Sequence, residues 1–142
     1  MEDIENNFLN YKLASELKKL GFNEKCFGFH LPIDHDDYKK GDIIYHQDKY
    51  EKDIPSILWQ QAFKFFRDVY GLYVHSVPEF YYTGINFNWQ IFWYLPKEKW
   101  TKYSCNGGTF LYGDNGEYPT QEAADIAMIE KMIDIVKNKI LK

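Results

Sequence analysis

The stretch LYVHSVPEFYYTGINFNWQIFWYL, residues 72 to 95, decides the fold. Its first part, LYVHSV, reads as a strand closed by Pro78. Its last part, WQIFWYL, alternates so that Trp89, Ile91, Trp93 and Leu95 share one face while Gln90, Phe92 and Tyr94 share the other. The two segments are therefore expected to pair antiparallel, and apolar residues on both faces predict that both faces are covered. PEFYYTGINFN, residues 78 to 88, is expected to be the hairpin loop between them. Nine of the 25 residues from Leu72 to Pro96 are aromatic. Such side chains fill a core at small entropy cost, and they equally well stack on bases and sugars, so core and binding surface read alike at this point.

Working outward, a helix is expected to start between Asp53 and Ser56, where either residue can cap it and Pro55 is tolerated in the first turn. Its buried face is marked by Leu58, Ala62, Phe65, Phe66 and Val69, and Gly71 stops it. A third strand is expected at TFLY, residues 109 to 112, entered through Asn106-Gly107-Gly108 and left through Asp114-Asn115-Gly116. Beyond Pro119, Thr120 caps a final helix on which Ala123, Ile126, Ile129 or Ala127, Ile133, Val136 and Ile140 recur at helical spacing. Before residue 53, Leu9, Leu13, Leu17 and Leu20 describe an amphipathic helix over 7 to 20, stopped by Gly21, and KCFGFHL reads as a short strand. Apart from Ile43, Ile44 and Tyr45, residues 32 to 53 read as loop. The expectation is an α+β fold in one domain, residues 1 to 142: a three-stranded antiparallel sheet flanked by helices in the order α-β-β-β-α, with an N-terminal helix and short strand.

That order resembles the double-stranded RNA-binding domain, and TQEAADIAMIEKMIDIV, residues 120 to 136, is similar to that family's closing helix. Where the family opens this helix with lysines that meet phosphates, this chain has Gln121, Glu122 and Asp125, so the likeness implies the fold without the RNA contacts. Three segments also resemble small uncharacterised proteins of bacteriophages and mobile elements of gut Bacteroidetes: YKLASELKKLGF, PSILWQQAFKFFRDVYGLYVHSV and YPTQEAADIAMIEKMIDIV. That resemblance implies a phage-related origin, action in the bacterial host cell, and a partner or ligand belonging to the host. It transfers no functional residue.

Charge narrows the function classes. The formal net charge is −4, and Arg67 is the only arginine among scattered lysines. Affinity for double-stranded nucleic acid rests on clustered cations that release counterions, so none is expected. Cys26 and Cys105 lie far apart without CxxC or Cys/His spacing, which reads as two reduced thiols in a cytoplasmic protein. Acidic residues stand at the start where a signal peptide would be basic, and no run approaches a membrane span of about 20 apolar residues.

No GxSxG turn, HExxH pair or phosphate-binding glycine loop is present, and the expected role is non-enzymatic, without a cofactor. His30, Asp34, His35, Asp36, Asp37, Asp42, His46 and Asp48 supply metal-ligand types without metal-ligand spacing and read as a solvated acidic loop. The candidate binding residues are Tyr81, Tyr82 and Trp59 as stacking faces and Arg67 as an anion contact. Two roles remain open for them. One is capture of a small, flat, nucleotide-like ligand, as in sequestration of host signalling nucleotides; the other is docking on a host protein or a second copy of the chain. Equally open is whether Phe80, Tyr81, Tyr82 and Phe87 fold back over the sheet and complete the core.

Overall fold

The computed structural model describes residues 4–31, 40–44, 54–82, 84–94 and 108–138. The chain divides into two compact units, residues 1–62 and 63–142.

In the first unit a single 3-10 turn, Ile4–Asn7, leads into helix α1, Tyr11–Lys19. Asn10 caps α1 by accepting from the Leu13 amide at 2.9 Å. The helix ends in a glycine-dependent motif: Gly21, at φ +102°, lets the Phe22 amide return to the Leu17 carbonyl and the Gly21 amide to that of Lys18, both at 3.1 Å. Leu13, Ala14 and Leu17 form the buried face of α1, and Phe8, Leu9, Phe22 and Ile57 complete this core. Three strands of two residues each make a small antiparallel sheet in the order β2-β1-β3: β1 is Phe29–His30, β2 Ile43–Ile44 and β3 Ile54–Pro55.

Here the expected start of the second helix is corrected. Ile54 and Pro55 pair with His30 and Phe29, and α2 begins only at Trp59, running to Tyr70 across the boundary between the units. A strand partner from far along the chain outweighed the local capping signal. Ala62, Phe65 and Phe66 are buried as expected, whereas Val69 is exposed.

The second unit is built on the antiparallel sheet β4-β5-β6, with β4 at Leu72–Tyr81, β5 at Gly84–Tyr94 and β6 at Gly108–Tyr118. Helix α3, Gln121–Lys137, lies on one face, with Thr120 Oγ1 accepting from the Ala123 amide at 3.1 Å. Beneath it Leu72, Trp89 and Ile91 meet Ala124, Met128, Ile129, Met132, Ile133 and Ile135, all buried. The order helix, three antiparallel strands, helix is the expected one.

The hairpin differs from expectation in length. Pairing runs without a break from Leu72↔Trp93 through Pro78↔Phe87 to Tyr81↔Gly84, so only two residues separate the strands and residues 78 to 88 are mostly strand. Pro78 does not close β4, because β4 is an edge strand and its outward side needs no amide donor. Asp114-Asn115-Gly116 does not leave the sheet either. It lies within β6, where the register shifts between Phe87↔Tyr118 and Trp89↔Asp114.

Candidate functional site

In the continuous β4–β5 register, Leu72, Val74, Ser76, Pro78 and Phe80 share a face with Trp93, Ile91, Trp89, Phe87 and Ile85. Helix α3 covers the first part of this face. Its first residue, Gln121, reaches Ser76 Oγ through its side-chain amide, which also donates to Asp125 Oδ1 at 2.8 Å. Beyond that point no described element covers the apolar row. Phe80 is 78% exposed and its cross-strand partner Ile85 46%, while Tyr82 at the turn is fully exposed. β6 ends opposite Phe87, so residues 84 to 86 pair with β4 alone and the hairpin end is a two-stranded arm. Gly84, at φ +140°, supplies a backbone conformation at the closing pair that other residues rarely adopt.

The opposite face of the sheet corrects the expectation that both faces are covered. Tyr73 lies across from Phe92 and His75 across from Gln90. Tyr73 is 42% exposed, and His75 and Gln90 are exposed. The His75 ring stacks on Phe92 with centroids 5.3 Å apart at 26°, and its Nε2 donates to Gln90 Oε1 at 3.1 Å.

The four residues singled out from the sequence do not share one role. Tyr82 stands at the exposed turn. Tyr81 closes β4 through its backbone pairing with Gly84. Trp59 opens α2 in the first unit, half-buried, with its indole N–H donated to the Asn6 carbonyl at 3.0 Å. Arg67 is exposed on α2 and lies 3.5 Å from Asp68 Oδ1, a carboxylate that also receives Lys64. The hydrogen bond from Lys64 is the main cause that holds the Asp68 carboxyl below its ordinary value of 3.8, with the Arg67 charge adding to it. Trp59 therefore tethers the N-terminal turn, and Arg67 belongs to a surface charge cluster.

Of the metal-ligand candidates, Asp34, His35, Asp36, Asp37, His46 and Asp48 lie outside the described residues. His30 is buried in β1, donates from Nδ1 to the Gly41 carbonyl at 2.8 Å and meets the Tyr11 ring edge-on. Among the described residues no three His, Cys, Asp or Glu side chains converge. Cys26 Sγ lies near the Glu24 carbonyl and Gln61 Oε1; Cys105 is outside the described residues. No helix among the described residues is long and apolar enough to cross a membrane.

No family model matches the chain, and neither a curated protein nor a solved structure shows significant similarity to it. The functional reading therefore rests on the chain's own residues and geometry. Ile85, Tyr73, His75, Gln90 and Phe92 were absent from the sequence-derived candidates. The signal that finds them is the register: with the turn placed immediately after Tyr81, counting back pairs Phe80 with Ile85 and the polar His75 with Gln90.

Proposed function

We propose that the chain is a non-enzymatic binding protein whose contact element is the β4–β5 arm, seated on a partner protein. The observation that carries this reading is the collection of uncovered apolar side chains at one projecting end: Phe80, Ile85 and Tyr82 within six residues. Large apolar side chains left contiguous in water mark interaction surfaces, and buried aromatics dominate the energy of protein interfaces. A small ligand needs a concavity that buries most of its surface, which a projecting two-stranded arm does not offer, so the protein partner is favoured over the flat small molecule. The phage-like segments make a protein of the bacterial host cytoplasm the partner class to seek.

The test is quantitative affinity capture with the wild-type chain and a Phe80→Ser/Ile85→Ser double variant. A discrete partner should be retained by the wild type and reduced about tenfold or more by the double variant, as expected for loss of interface anchors. The two melting curves should coincide. Equal recovery, or a large loss of stability, would show that these side chains are not a docking surface.

A further inference from the structure

We infer that Pro78 closes the outer edge of β4 to strand addition, so that the arm does not pair edge to edge with a second copy of the chain. The alternation of the ladder places this residue. Only two residues separate Tyr81 from Gly84, and a pair that closes so short a turn exchanges its backbone hydrogen bonds. Counting back from there, every second pair does the same: Glu79↔Asn86, Val77↔Asn88, His75↔Gln90 and Tyr73↔Phe92. The residues between them, Leu72, Val74, Ser76, Pro78 and Phe80, turn their backbone groups the other way, to the side where no described strand pairs with β4.

A proline at that position has two effects. The missing N–H costs the β4–β5 ladder nothing, because position 78 does not bond to β5. On the outer side the ring stands where an amide hydrogen would meet a neighbouring strand's carbonyl, so an added strand loses one bond and is held away. The outer edge opens towards the arm, which is where Pro78 stands: Leu72 is buried and Ser76 half-buried, whereas Pro78 and Phe80 are exposed.

The edge needs such a block. An unpaired strand that is long, regular and weakly charged is a template for another chain. β4 has ten residues, an unbroken register with β5, neither lysine nor arginine, and Glu79 as its one acid. The segment from 78 to 88 carries four aromatic residues against that single charge. The opposite edge of the sheet is treated differently. β6 meets β5 with two register shifts, which bend a strand and spoil its outer side as a template. No such shift interrupts β4, and Pro78 stands in its place. The inference is independent of the docking proposed for the arm, which rests on side chains, and either can fail without the other.

The test is sedimentation velocity of the full chain at about 10 μM to 1 mM, the range in which open strand edges associate, on the wild type, Pro78→Thr and Ser76→Pro/Pro78→Thr. Pro78→Thr restores an outward amide. It should self-associate at a concentration about tenfold or more below any association of the wild type, as two hydrogen bonds regained across a two-fold pair imply. Ser76→Pro in that background moves the block to the next outward-facing position and should return the behaviour of the wild type. Hydrogen exchange separates edge pairing from general aggregation. With rising concentration the amides of Ser76 and Phe80 in Pro78→Thr should slow, while those of His75 and Glu79, which bond to β5 in either case, should not change. Should Pro78→Thr fold poorly, Pro78→Ala restores the same amide and carries the same expectation. Equal association of the wild type and the folded position-78 variants, association that Ser76→Pro does not reverse, or slowing not confined to the outward amides would overturn the inference.

Discussion

Asp125 shows how a single residue near the start of α3 trades solvation against structure. It sits half-buried on the second turn of the helix and accepts from the Gln121 amide, which also holds Ser76 on β4. Burial raises its carboxyl above the ordinary value of 3.8; the Gln121 hydrogen bond opposes this, and the nearby Glu122 charge adds to it. An acid whose pKa is higher in the folded state binds its proton more tightly there. Its favourable contribution is complete below 3.8, declines as pH rises through the interval just above, and leaves a constant penalty beyond it. Asp125→Asn keeps an oxygen for Gln121 and removes the charge. The variant should melt above the wild type at about pH 7 and lose that advantage at about pH 3. An advantage that does not change with pH would mean that burial of the charge is not what acts here.

At the scale of elements, α3 was the most legible part of the chain, because Thr120 and a long apolar repeat specify both its start and its buried side. The buried face coincides with the expected repeat only in part. Ile129 and Ile133 are buried as expected, but Ala124, Met128, Met132 and Ile135 complete the face, while Ala123, Ile126 and Val136 lie at its margins. On a helix with apolar residues at most positions between its charges, spacing alone does not choose between adjacent stripes. Ile133→Ala should therefore cost about 2 to 4 kcal/mol in denaturant melts, and Ile126→Ala clearly less. Equal losses would place the stripe where the sequence first suggested. The hairpin was legible as a pair of strands but not in extent: whether Pro78 ends a strand depends on whether that strand has a second neighbour, which lies outside its own residues. The same holds for Ile54 and Pro55, drafted into a sheet by His30 and Phe29 across some 25 positions, and for Asp114-Asn115-Gly116, a turn signal absorbed as an irregularity within β6. Of the small sheet in the first unit, β1 was legible in the alternation of KCFGFHL, whereas two-residue strands such as β2 and β3 carry no periodicity of their own.

For the whole molecule, the acidic balance and the aromatic wealth of the sequence fix what kind of surface it can offer. The aromatics divide between the two possibilities left open at the outset: Trp89, Phe65 and Phe66 are core, whereas Phe80, Tyr82 and Tyr73 face solvent. Of the candidate residues, Tyr82 stands exposed at the turn within the aromatic stretch, while the partners of Trp59 and Arg67, Asn6 and Asp68, are supplied by the fold. The central claim, that the arm meets a partner protein, is tested most directly by photo-crosslinking in the producing cell, with a photoreactive phenylalanine at position 82 and, separately, at position 130 on the exposed side of α3. The account predicts one discrete, heavier adduct from position 82 and none from position 130; no adduct from position 82, or the same adducts from both, would contradict it.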